Sequence, residues 1–115
     1  PRLDFMERFA DDVDVVEVYN ARNFYAADDK LALDFARRHH LGRSAGSDAH
    51  LRGEIGRGFV LMADFDGPAS FLESLRGAVP GGRKTPPLVP LTTWARSFRA
   101  ALADMRLQYR LTGRP

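Results

Sequence analysis

The chain has 115 residues, 44% of them hydrophobic and 28% charged, with no cysteine and a formal net charge of +2. That composition suits one ordinary globular domain or part of a larger one, and leaves room for a core of modest size. It excludes disulfides and thiolate metal sites, and no apolar run approaches the length of a membrane span.

The absence of cysteine fits a reducing cytoplasm, which is the expected location. No signal peptide is visible in the sequence, and no membrane partner is expected. The chain begins at Pro1 rather than Met, as a trimmed or excised sequence would. Arginine supplies 15 of the 17 basic residues. Acidic residues gather in the first third (Asp4, Glu7, Asp11, Asp12, Asp14, Asp28, Asp29), and basic ones dominate from Arg76 to Arg114. This asymmetry reads first as solvated helix faces.

Taken in chain order, residues 13–19 (VDVVEVY) form a short β-branched run, the signature of a strand buried on both faces, as in a parallel sheet. Residues 20–23 then read as a loop. From Ala26 to His40 the pattern is helical, with Leu31, Ala32, Phe35 and Ala36 on one stripe. Asp28 and Asp29 complement the dipole at its start, and Arg37, Arg38, His39 and His40 at its end. Gly42 is the expected C-terminal stop. Residues 43–48 complete a strand–helix–strand unit, expected to end at Asp48. Such β-α-β units hold parallel strands and place ligands at the strands' C-terminal ends. Asn20 and Asp48 fall on that shared edge.

Residues 58–65 (GFVLMADF) form a further expected strand, broken by Asp66-Gly67-Pro68, and Ala69–Arg76 a short helix. The proline-rich stretch to Pro90 reads as an irregular connector. Thr92 or Thr93 is expected to cap a last helix reaching about Arg110, with Trp94, Phe98, Ala101, Leu102, Met105 and Tyr109 on one face.

The one chemically pointed constellation is Asp48-Ala49-His50. Residues i and i+2 of an extended segment face the same side, so a carboxylate and an imidazole can converge on one cation. That donor set suits zinc, manganese or iron better than calcium. On spacing alone, a loop-capping Asp and a surface His are the more ordinary reading, and two ligands do not complete a coordination shell. Glu17, inside an apolar strand, reads as satisfying a buried partner.

The longer order of motifs is more specific. Glu17-Val18-Tyr19-Asn20-Ala21-Arg22, a helix, Ala45-Gly46-Ser47-Asp48-Ala49-His50 and then Glu54-Ile55-Gly56 resembles the C-terminal half of PHP (polymerase and histidinol phosphatase) domains. The resemblance is clearest over residues 13–65. It implies an α/β fold, the C-terminal portion of a distorted barrel of seven β-α units, with a parallel β-α-β core and a C-terminal helix. The implied domain plan is a PHP portion at 1–79, a Pro/Gly-rich connector at 80–91 and a helical extension at 92–115.

The resemblance further implies a metal-dependent phosphoesterase in which Asp48 and His50 are metal ligands within a cluster of up to three divalent ions. Asn20 and Arg22 are candidate substrate contacts at the rim, since Arg pairs well with phosphate. A turn-forming Asn and a surface Arg explain them equally. The implied substrate is a phosphorylated small molecule or a nucleotide, and the implied partner is the N-terminal part of the same domain. The family's His-x-His motif and its middle His and Glu ligands are absent from this sequence. The rival reading is a non-catalytic PHP-associated module. A nucleic-acid-associated one is permitted by Arg96, Arg99, Arg106, Arg110 and Arg114.

Overall fold

The computed structural model describes residues 2–112; the side chains of 2–4, 90, 92, 96 and 104–112 fall outside the description. The chain divides into two compact units, Pro1–Lys84 and Thr85–Pro115. The first is mixed α/β. Its elements are α1 (Arg2–Glu7), β1 (Val15–Asn20), α2 (Ala26–Arg38), β2 (Gly42–Gly46), β3 (Gly58–Leu61), α3 (Pro68–Gly77) and β4 (Val79–Gly82). The second carries one long helix, α4 (Leu88–Thr112).

β1 and β2 pair in parallel, joined by α2, so the β-α-β core expected from the sequence is present. The register runs Val15↔Gly42 to Glu17↔Ser44, then jumps to Tyr19↔Ala45, leaving Val18 as a bulge. The strand is not buried on both faces as its apolar run suggested. Val18 is buried, while Val15 and Val16 are only half-buried, because the sheet has two strands and β1 has a strand neighbour on one side only.

Helix α2 places Phe35 and Ala36 in the core, at 2% and 0% exposure. Leu31, expected on that stripe, is largely exposed instead. The helix also ends earlier and by a different device than expected. His40 takes a left-handed conformation (φ 53°), its N–H donates to the Arg37 carbonyl, and the Leu41 N–H donates to the Ala36 carbonyl. That double bond pattern is a Schellman stop, with His where glycine is usual.

Gly42 is therefore not the stop but the first residue of β2. Its lack of a side chain serves packing: a Cβ there would lie 3.0 Å from Val15 Cγ2 and 3.1 Å from Leu75 Cβ.

The strand expected over 58–65 is shorter, ending at Leu61, and it pairs antiparallel with β4. Part of the stretch read as an irregular connector is thus strand, with Pro80 opposite Val60 and Gly81 opposite Phe59. Helix α3 opens on Pro68, as the Asp-Gly-Pro break suggested, and the Ser70 hydroxyl accepts the Asp66 and Gly67 N–H groups at 3.1 and 3.0 Å.

The last helix starts at Leu88, ahead of the expected caps. Thr93 lies inside it, donating to the Val89 carbonyl at 3.1 Å, a bond that turns its hydroxyl back on the helix. Trp94 and Phe98 stack with ring centroids 5.7 Å apart, both exposed. The side chains of Met105 and Tyr109, and of Arg96, Arg106, Arg110 and Arg114, lie outside the described residues.

Candidate functional site

The parallel pair β1–β2 defines a rim at the C-terminal strand ends, where β-α-β proteins bind their ligands. Asn20 closes β1, and the 47–51 loop leaves β2 beside it, held by the Ala21 N–H donating to the Gly46 carbonyl at 2.9 Å. A cleft of about 340 Å³ opens there, lined by Glu17, Asn20, Arg22, Asn23 and Asp48. Three residues singled out in the sequence, Asn20, Arg22 and Asp48, therefore meet in one cleft.

Asp48 lies two residues past the end of β2, not at its last position, and adopts a left-handed backbone (φ 48°). Such a conformation is uncommon for any residue but glycine and concentrates at functional sites. Its carboxylate Oδ1 stands 3.7 Å from His50 Nδ1, both side chains about half-exposed. The carboxylate thus lies on the Nδ1 side of the ring.

His50 Nδ1 also lies 2.8 Å from the Asp48 carbonyl oxygen. A carbonyl can only accept, so Nδ1 carries the proton and Nε2 of the neutral ring keeps its lone pair. This is the arrangement usual for a metal-binding histidine, whose second nitrogen is held by a carbonyl or carboxylate. By donor type, a carboxylate and an imidazole with a free Nε2 suit a divalent cation as part of a larger shell. Among the described residues no group of three or more such side chains comes together.

The rim's hydrogen bonds are densest at a residue that drew no individual attention in the sequence. Glu54 is 2% exposed. Its Oε1 takes Arg22 Nε at 2.8 Å, and its Oε2 takes Arg22 Nη2 at 3.1 Å. The same Oε2 accepts the N–H groups of His50 and Leu51, each at 2.9 Å. The Arg22 guanidinium, against the opposing effect of burial, holds the Glu54 carboxyl down from 4.5 to about 2, with the two backbone donors adding to the shift. The only sequence signal for this role was a glutamate four residues after His50, just before an apolar position and a glycine.

The other candidates are engaged as well. The Asn20 carboxamide oxygen accepts the Arg22 N–H at 2.9 Å, and its nitrogen donates to Glu17 Oε2 at 3.2 Å. Glu17 is exposed on the cleft side and has no buried partner of the kind expected. The reason is alternation: with Val18 turned into the core, its neighbour faces away from it. His39 and His40 stay at the helix end; His39 Nε2 meets Glu7 Oε2 at 2.7 Å and takes no part in the rim.

The fold and rim define a mixed α/β chain with a parallel β-α-β ligand edge. Residues 28–79 match the family model described as PHP-associated, which supports the resemblance of these motifs to a PHP C-terminal region. No curated protein and no solved structure gives a significant match. No helix among the described residues is long and apolar enough to cross a membrane.

Proposed function

We propose that this chain supplies Asp48 and His50 to the metal centre of a PHP-type phosphoesterase, whose remaining ligands come from protein beyond the described residues. The observation that carries the reading is local. At the exit of a parallel strand, a left-handed Asp48 and a His50 whose Nδ1 lies 2.8 Å from the Asp48 carbonyl sit side by side, leaving the carboxylate and His50 Nε2 as the donors on offer. A divalent ion held there, zinc, manganese or iron, would supply Lewis acidity and a hydroxide for attack on phosphorus.

The chain's own residues bind and orient. Asp48 contributes charge and His50 a neutral nitrogen donor fixed in direction. The adjoining cleft, lined by Glu17, Asn20, Arg22 and Asn23, receives the rest of a phosphate mono- or diester. Asn20 and Arg22 both carry bonds to the protein, so their contribution to substrate is the shape of the rim as much as direct contact.

The experiment compares metal content and phosphatase turnover of the intact protein with Asp48→Ala. Loss of bound metal and a fall in turnover of at least a hundredfold are expected. Equal metal and equal rate in both proteins would reject the role.

A second reading, a PHP-associated module that binds without catalysing, is favoured by the small donor set, since no group of three or more such ligands comes together among the described residues. It is distinguished by metal bound stoichiometrically with no turnover of any phosphoester tried.

A further inference from the structure

We propose that Glu54 is the positioning residue for the Asp48–His50 loop, and that Arg22 tethers it to the end of β1. The proposal rests on the reading of Asp48 and His50 as metal donors and assigns the support that aims them.

Three observations converge on it. The Glu54 carboxylate takes four donors, two from one guanidinium and two from the backbone at His50 and Leu51. Its side chain is 3% exposed and that of Arg22 12%. A buried charge is tolerated only when paired and hydrogen-bonded, and here both conditions hold. The fork of Arg22 gives the pair a defined orientation, which a lysine in its place would not.

The consequence for His50 is mechanical. Its main chain is held at the N–H by Glu54, and its ring is held at Nδ1 by the Asp48 carbonyl. With both ends fixed, Nε2 has one direction. Asp48 sits between β2 and this clamp, in a left-handed conformation at φ 48°. Arg22 follows β1 by two residues, so the loops after the two parallel strands are joined through one ion pair. Its guanidinium is committed to that link, which makes Arg22 a supporting residue ahead of a phosphate contact.

The test uses the intact protein as wild type, Glu54→Ala, Glu54→Gln and Asp48→Ala, well below the unfolding temperature of each. Amide exchange reports on the loop, and titration with Mn²⁺ reports on the donors. For Glu54→Ala, exchange at the His50 and Leu51 N–H groups is expected to speed up at least tenfold while β1 and β2 stay protected. Mn²⁺ affinity is expected to fall about 10- to 100-fold, as for other supports of metal ligands. Glu54→Gln keeps an acceptor oxygen without the charge and is expected to fall between; it decides the matter if Glu54→Ala does not fold.

Unchanged exchange at His50 and Leu51 in a folded variant would overturn the proposal. So would faster exchange spread evenly over β1 and β2, which marks a merely structural role. If Asp48→Ala binds Mn²⁺ as the wild type does, the metal reading fails instead, while the exchange result still judges the clamp.

Discussion

Glu54 and Arg22 show how a single carboxylate can organise a rim. In the sequence they are separated by 32 residues and belong to different loops, so nothing in local periodicity links them. Their pairing sets a pH dependence with a definite sign. The folded carboxyl is lowered to about 2 from its ordinary 4.5, so between those values the unfolded chain binds a proton that the folded chain does not. Stability from this group is fully present above about pH 4.5 and is lost as the pH falls toward 2. Thermal unfolding of the wild type is expected to show this decline across that window. Glu54→Gln is expected to unfold several degrees lower at neutral pH and to lose most of the slope, because an amide does not titrate there. A variant whose melting temperature followed pH as steeply as the wild type would assign the decline to other carboxylates. Asp48 and His50, by contrast, stood out in the sequence as a pair only by their spacing; both lie beyond β2, and Asp48 is left-handed, so the loop and not strand alternation sets how they face each other.

At the scale of elements, α2 was legible nearly in full. Its acidic first turn, basic last turn and the buried Phe35–Ala36 pair are all local features, and the helix spans Ala26–Arg38. Its stop departs from the sequence pattern: Gly42 is the residue best suited to end a helix, whereas the chain turns at His40, two residues earlier. A non-glycine residue held at φ 53° carries a backbone cost that glycine largely avoids. His40→Gly is therefore expected to stabilise the protein by about 0.5–1 kcal/mol in chemical denaturation, since the Schellman bonds are backbone bonds and survive the change. A loss of stability would mean that the exposed imidazole contributes more than its backbone costs. The strand β4 was missed for the opposite reason. Val79-Pro80-Gly81-Gly82 has the composition of a turn, and only the partner strand makes it extended. A Cβ on Gly81 would meet the outer edge of the Phe59 ring at 2.9 Å, a contact that exists only once β3 is alongside.

For the first unit as a whole, the decisive contact lies where the parallel and antiparallel sheets meet. A Cβ on Gly58 would fall 2.2 Å from the Gly46 carbonyl oxygen and 3.0 Å from the Ser47 nitrogen, so backbone lies directly on backbone just before Asp48. Side chains at that point would part the sheets and displace the 47–51 loop. Gly58→Ala is expected to cost about 1–3 kcal/mol in urea unfolding, as overpacking against unyielding backbone does. It is also expected to weaken metal binding in parallel with Asp48→Ala, though less. Unaltered stability would show that the sheets separate freely. Lys84 closes the same unit from its far end. Its ammonium donates to the Asn20 carbonyl at 2.9 Å, pairs with Asp29 and lies 4.5 Å from the centre of the Tyr19 ring. Asp29 belongs to the first turn of α2 and also accepts from Asn23 at 2.9 Å, so the β1–α2 loop is pinned from both sides of the rim.

The sequence by itself determined what depends on neighbours along the chain: the β-α-β order, the body of α2, the Asp-x-His pair and the motif order that resembles PHP domains. Tertiary structure alone decided the partners of Glu54, the identity of β4, the exposed side of Glu17 and the backbone contact between Gly46 and Gly58. The physical reason is range. Helical stripes and strand alternation repeat over two to four residues and can be read locally. A buried ion pair, a strand made of turn residues and a glycine chosen for space arise only when distant segments meet.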